Sequence, residues 1–341
     1  MNAGMLLAVA MAAQFASASA EPQAVAYMQA SFRGLDGVAV SVDVFTIDAT
    51  VAEIRVVDGW GHRSELNNRA GLRDIRLYAQ GLRRSGRPPT LTFSGGNIVA
   101  EPNYPLGWVV EDGVERSHLD QSPNRRFNAS RATVSRIGTG AAIANQSAPA
   151  NRSNQSPPGQ QAQSAAAAGD ERACQAKVDA IGQLFGGVLC VADGVPSIRL
   201  TREINAASNP CRQAIQSRPV LIHPGDGSNG VCRSEIEGDR SKTEPARRGV
   251  ACVDTAGRLK LVLASPTYLY PLAEWMRSDA GLACKGALNL IGDYYAAAIF
   301  QAGSDAQPRE FGNTYVPQAS AIVVYANDTI APSQKRMRQS R

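Results

Sequence analysis

Over residues 38–44 the chain alternates strictly: Val38, Val40, Val42 and Val44 stand against Ala39, Ser41 and Asp43. That is the two-residue period of a strand with one face buried. A second strand-like run over 51–57 follows the turn-forming Asp48-Ala49-Thr50, and the short connection predicts that the two runs pair. Leu72, Ile75, Tyr78, Ala79 and Leu82 then recur at three- and four-residue spacing, which predicts an amphipathic helix ended by Gly86 and Pro88-Pro89. Leu91-Thr92-Phe93 reads as a buried strand running into a glycine turn at Gly95-Gly96. Further on, strands are expected over 187–191, 249–253 and 259–263. A helix starting at Pro271, with Leu272, Trp275 and Met276 on one face and a stop at Gly281, comes next. Short strands over 287–290 and 296–300 lie about a turn at Gly292. Strands and helices mix without a regular βα repeat. The expected class is α+β, with a mixed, largely antiparallel sheet core and flanking helices.

Polar and small-residue segments punctuate this pattern. From 138 to 170 Ala, Asn, Gln, Ser and Pro dominate, including Ser156-Pro157-Pro158-Gly159. Such a segment lacks the apolar surface needed to offset the entropy of ordering, so a disordered polar tract is expected there. At the other extreme, the apolar stretch 5–13 leads to Ala18-Ser19-Ala20. This predicts a signal peptide over 1–20, the alternative being a buried N-terminal helix. No later run approaches about 18–20 apolar residues, so no integral membrane segment is expected in the mature chain.

Cysteine and charge narrow the picture further. Cys174, Cys190, Cys211, Cys232, Cys252 and Cys284 contain no close pair, which argues against a zinc site. An even number of cysteines behind a signal predicts up to three disulfides, with the pairing open, and a periplasmic or secreted location. The net charge is +5, with Lys335, Arg336, Arg338 and Arg341 in a basic tail over 327–341. Aromatic residues make up 6% and no basic stripe interleaves with them, so no nucleic-acid partner is expected. His62, His118 and His223 are isolated in sequence and read as structural. Asp226-Gly227-Ser228-Asn229-Gly230 lacks the distal Glu of a calcium loop and reads as a turn. No metal or cofactor is expected.

Candidate chemistry resides in a series of short motifs: Ser94-Gly95-Gly96-Asn97, Pro105-Leu106-Gly107 with Asp112-Gly113, Gln216-Ser217-Arg218-Pro219, Arg247-Arg248-Gly249-Val250, and Ala287-Leu288-Asn289-Leu290-Ile291-Gly292-Asp293. In this order they resemble the phosphodiester glycosidase family, over residues 38–301. Because the motifs lie on both sides of the polar tract, the resemblance implies one domain, with halves 21–137 and 171–326 separated by an insertion. It also implies hydrolysis of a sugar-1-phosphate diester in an envelope or extracellular glycan. On the family pattern Asp293 and Arg247 are the candidate catalytic residues, as acid/base and phosphate clamp. Asn97, Gln216, Arg218 and Asn289 are the candidate substrate-binding residues, with a sugar-phosphate or glycan as ligand.

The chain departs from the family at three polar positions. Ser94 replaces the Asn before the paired glycines, Arg218 replaces the Gly of Gln-Ser-Gly-Pro, and Ile291 replaces the Asp of Leu-Asp-Gly-Gly, leaving Asp293 two residues later. These departures keep a second reading open: a non-catalytic relative that binds a glycan or a partner. Asp293 is then a turn residue, and Gln216 and Asn289 satisfy buried backbone groups.

Overall fold

The structure, a computed structural model, describes residues 23–59, 73–84, 86–96, 107–121, 171–174, 176, 185–205, 208, 210–233, 245–303 and 307–327. The expected signal over 1–20, the tract over 138–170, the basic tail beyond Asn327, and His62, Asn97, Pro105 and Leu106 lie outside the described residues.

Three sheets carry the fold. The largest runs in the order β1 (Val25–Arg33), β2 (Ala39–Ile47), β13 (Leu259–Thr267), β12 (Ala246–Asp254), β14 (Cys284–Gly292) and β11 (Val220–Ile222). A second runs β7 (Val114–Ser117), β6 (Val109–Glu111), β10 (Gln213–Ser217), β8 (Gly187–Ala192) and β9 (Val195–Leu200). The third runs β16 (Arg309–Gly312), β15 (Ala297–Phe300), β5 (Leu91–Ser94), β18 (Ser320–Ala326) and β3 (Ala52–Asp58). The two-residue strands β4 (Arg73–Asp74) and β17 (Pro317–Gln318) pair with each other. Every pairing among the described strands is antiparallel. The architecture is therefore mostly antiparallel sheet with few helices, and each large sheet takes strands from both sides of 138–170.

The alternation over 38–44 does mark a strand, but its expected partner is wrong. β2 pairs with β1 and β13, whereas β3 pairs with β18, setting Val57 against Ala321. The Asp48 turn holds locally, its Oδ1 accepting from the Thr50 backbone N at 2.9 Å. It passes the chain from one sheet to another rather than closing a hairpin, because both strands have apolar faces that the core between the sheets absorbs. That core joins Phe45, Leu261 and Leu263 of the first sheet to Ile215 and Leu189 of the second and Phe93 and Ile322 of the third. Side chains of this size each stabilise by about 1.5–3 kcal/mol when fully buried. The 287–290 and 296–300 runs are likewise strands, and they too part: β14 joins the first sheet and β15 the third.

Helices cover outer sheet faces. α1 (Ile75–Arg84) buries Ile75, Tyr78, Ala79 and Leu82, the spaced positions of the sequence pattern. Tyr78 and Leu82 pack on Val57, Ala321 and Val323, and Ile75 and Ala79 on Ala297 and Ile299. Asp74 starts the helix by accepting the Leu77 N–H at 2.9 Å, one of the donors a first turn leaves without a backbone partner. α2 (Leu269–Arg277) begins two residues before Pro271, which still falls in the first turn, where a missing N–H costs little. Leu272, Ala273 and Met276 lie against Val250, Cys252 and Val262 on the outer face of the first sheet.

The cysteines pair as Cys174–Cys232, Cys190–Cys211 and Cys252–Cys284, with Cα–Cα distances of 5.7, 5.3 and 5.8 Å. Three disulfides and no free thiol fit an oxidising, extracytoplasmic compartment. Among the described residues, no helix is long and apolar enough to cross a membrane.

Candidate functional site

The dispersed motifs meet along one seam between the sheets. At its start, Gly95 N donates to the Ser320 carbonyl at 3.1 Å, and a Cβ on Gly95 would stand 2.2 Å from Ser320 Oγ. A Cβ on Gly96 would stand 2.8 Å from Ile215 Cγ2, so the paired glycines let this turn lie directly on β10 and β18. Gly107, with a φ of 88°, crosses Gln216, whose Oε1 would stand 3.1 Å from a Cβ there. The next link is Ser217, whose Oγ donates to the Leu290 carbonyl at 2.8 Å. Asn289 Nδ2 donates to the Arg218 carbonyl at 2.8 Å, and its backbone N donates to the Pro219 carbonyl at 3.0 Å, across a cis Arg218–Pro219 bond.

Gln216 is wholly buried and its amide is already engaged. Oε1 accepts from Trp108 N at 2.8 Å and Asp120 N at 2.9 Å. Nε2 donates to the Asp120 carbonyl at 2.7 Å, the Phe185 carbonyl at 3.0 Å and Thr201 Oγ1 at 3.1 Å. These bonds tie separate loops to the C-terminal end of β10. Both amide groups are occupied by protein, which leaves little for a ligand.

A bulge reorders the faces of β14. Val250 lies opposite Asn289, but its neighbour Gly249 lies opposite Ile291, so Leu290 is an extra residue on this strand. Leu290 and Ile291 consequently both enter the core between the sheets, where Ile291 is 2% exposed beside Phe93 and Ala296. Without the bulge Ile291 would share the Asn289 face, since strand residues two apart do. That face resumes at Gly292, which lies opposite Arg248. A Cβ on Gly292 would come within 3.0 Å of Arg248 Nη1, so the guanidinium reaches over the strand just where a side chain is missing.

Arg248, the neighbour of the expected Arg247, is thus the arginine beside Asp293. Its Nε donates to the Thr267 carbonyl at 3.4 Å. Burial lowers its pKa to about 10, with the Asp293 carboxylate acting in the opposite direction, so it remains a cation at neutral pH. Arg247 occupies the preceding, half-buried position, in the irregular register between Ala246 and Arg248. Asp293 is exposed at a φ of 59°, opening the 3-10 turn Asp293–Tyr295. Behind that turn, Ser94 Oγ lies 2.9 Å from the Tyr295 carbonyl and 3.0 Å from the Ala297 carbonyl, and accepts the Ala297 N–H at 2.9 Å. Gln318 Nε2 also donates to the Tyr295 carbonyl, at 2.8 Å.

Two pairs of candidate residues therefore stand on β14 and its neighbours, Asn289 bonded to the Arg218 carbonyl and Asp293 next to the residue that faces Arg248, while Gln216 ties in the loops behind β10. Asn289 is 5% exposed, and its buried Oδ1 accepts no hydrogen bond among the described residues. Arg218 is exposed, its guanidinium 5.3 Å from the Phe185 ring centroid. Asn97 lies outside the described residues. The sequence motifs name Ser94 and Arg248 but do not select either as a site residue. Of the Arg247-Arg248 pair, only the register on β14 shows that Arg248 is the one opposite Gly292, next to Asp293.

No protein-family model matches the sequence, and no curated protein sequence matches it. Solved structures do. The catalytic domain of zebrafish N-acetylglucosamine-1-phosphodiester α-N-acetylglucosaminidase, auto-inhibited by its pro-peptide, superposes with a TM-score of 0.52 at 12% identity, covering 90% of this chain and 85% of that one. A hypothetical protein from Synechocystis gives a TM-score of 0.48 at 14% identity, covering 91% of this chain and 64% of that one. At such identity the first likeness is one of fold: this chain is built on the fold of a phosphodiester glycosidase catalytic domain.

Proposed function

We propose that this protein is an extracytoplasmic, phosphodiester-glycosidase-like protein that takes a sugar-1-phosphate diester at the seam of β10, β12 and β14 and hydrolyses its anomeric C–O bond. The observation carrying this reading is that Gly292, the neighbour of Asp293, lies opposite the buried Arg248 with its guanidinium directly over it. In the proposed reaction Asp293 takes a proton from water as that water bonds to the anomeric carbon. The bond between the anomeric carbon and the bridging oxygen breaks, and that oxygen leaves on phosphorus as a phosphate monoester anion. Arg218, exposed, contacts the phosphate directly, and Arg248 supplies positive field from beneath. Asn289, bonded to the Arg218 carbonyl, holds in place the backbone that carries Arg218. Arg247 stands behind Arg248 in this assignment, and Gln216 acts as scaffold rather than ligand contact.

One observation favours a second reading, binding without turnover. Glycosidases commonly use two carboxyl groups, and here the position that resembles the family's Asp is Ile291, turned into the core. Incubating the oxidised protein with synthetic sugar-1-phosphodiesters and assaying free sugar separates the two. Release of sugar supports hydrolysis. Calorimetric binding with no release, the fold being intact, overturns hydrolysis and leaves the binding reading.

A further inference from the structure

Directly after Asp293 the chain exposes an aromatic pair. The Tyr294 and Tyr295 rings lie 4.2 Å apart between centroids, tilted by 32°, and Tyr294 Oη donates to Tyr295 Oη at 2.9 Å. Tyr294 is 52% exposed. An aromatic ring this open usually gains its place by packing, yet this one lies on the outside of a turn fixed from within. Ser94 and Gln318 hold the Tyr295 carbonyl, Ala296 N donates to the Asp293 carbonyl at 3.4 Å, and Gly292 sits under the Arg248 guanidinium. The ring is therefore pre-positioned: its partner ring covers one side, and its backbone has little freedom to carry it away. Beside it stand a carboxylate and a buried cation. A flat, electron-rich face next to a charged pair suits a ligand that joins an apolar surface to an anion. The C–H face of a hexose linked to phosphate has that chemistry, because the polarised hydrogens meet the negative face of the ring.

We propose that Tyr294 is a platform for the hexose ring of the ligand, so that ring stacking on Tyr294 and charge at Arg218 and Arg248 read the two halves of a sugar phosphate. This inference rests on the sugar-phosphate reading of the site given above. Tyr294 is exposed and outside the core, whereas Tyr295 packs against the core, so only Tyr294 is substituted and the fold stays intact.

The test measures affinity by calorimetry for methyl diesters of glucose, galactose and N-acetylglucosamine 1-phosphates, with dimethyl phosphate as the sugar-free anion of the same charge. The proteins are wild type, Tyr294→Ala, Tyr294→Phe and, as an exposed tyrosine elsewhere, Tyr315→Ala. The expected result is that Tyr294→Ala weakens the best hexose diester about three- to ten-fold, as loss of one aromatic stack does. Dimethyl phosphate binding should not change, and Tyr294→Phe and Tyr315→Ala should stay within about two-fold of wild type. A hexose diester bound equally by wild type and Tyr294→Ala overturns the platform and leaves the site reading standing. Equal weakening of both ligands in Tyr294→Ala also overturns it. If wild type binds neither ligand, the site reading fails and the platform with it.

Discussion

Gly249 and Ile291 face each other across β12 and β14 so closely that a Cβ on the glycine would lie 3.1 Å from Ile291 Cγ2. The isoleucine fills the space the glycine leaves, with Phe93 and Ala296 around it. An aspartate here would not reach the Asn289 face. It would place a carboxylate among apolar side chains, and breaking burial in this way typically costs about 3–5 kcal/mol. Ile291→Asp is therefore expected to lower the urea midpoint sharply without raising hydrolysis of any sugar-1-phosphodiester. A stable Ile291→Asp protein that gains turnover would show that the bulge at Leu290 can be undone.

This position also marks how far the sequence could be read. Val38, Val40, Val42 and Val44 announce a strand, and Ile75, Tyr78, Ala79 and Leu82 a helix, because both are local periods that neighbouring residues enforce. The order of Ser94-Gly95-Gly96, Gln216-Ser217 and Asn289 announced a fold for the same reason: each motif is a close contact that survives as a short string. Pairing is not local. That β3 seeks β18 rather than β2 depends on which apolar faces the other sheets leave uncovered. The bulge at Leu290 is likewise a property of two strands, and by shifting the phase one residue it decided the fate of Ile291, Asp293 and the two adjacent arginines.

Asp293→Asn isolates charge from backbone. Asparagine tolerates the left-handed conformation at least as well as aspartate, so the φ of 59° is no obstacle and the melting temperature should move only slightly. Removing the proton acceptor should reduce sugar release at least about 100-fold. Affinity for the anionic diester should hold or rise, since a negative charge near the phosphate is gone. Sugar release by Asp293→Asn at the wild-type rate would remove Asp293 from the reaction.

Gln216 tests scaffold against ligand contact. Replacing it by Leu keeps volume but strands the Trp108 and Asp120 N–H groups that its amide oxygen now satisfies. A buried group left without its partner costs about 1–3 kcal/mol, so Gln216→Leu should lose at least about 2 kcal/mol in denaturant unfolding. Wild-type stability combined with weakened sugar-phosphate binding would mean that the amide serves the ligand instead.

Asp254 ties acid stability to the β12–β13 turn. Burial alone would raise its pKa, but hydrogen bonds from the Arg258 backbone and side chain, with Lys260 and Arg258 charge, hold it below the ordinary 3.8. Its Oδ1 accepts Ala256 N at 3.0 Å and Arg258 N at 2.9 Å. A carboxyl whose folded pKa is depressed adds stability that is full above its unfolded pKa and disappears as pH falls through the folded value. Asp254→Asn should thus be less stable than wild type at pH 7, and the gap should narrow below pH 3.8. A gap independent of pH would assign the loss to geometry alone.

Residues 138–170 offer the last test, of whether the two halves form one domain. Their small polar composition, with no apolar face to pack, predicts preferred cleavage there by a protease at low concentration. Separate domains would then part. Yet β1 and β2 complete a sheet with β11–β14, β3 and β5 one with β15, β16 and β18, and β6 and β7 one with β8–β10. Splitting the halves would open three sheets and the core they share, exposing Phe45, Phe93 and Ile322 among others. No covalent link would hold the pieces, because all six cysteines lie after the tract and pair with one another. Two fragments that run separately under denaturing conditions, even without reductant, but co-elute in native buffer are therefore expected. Association would then come from strand pairing and packing alone. Two folded fragments that separate on size exclusion would overturn the single domain.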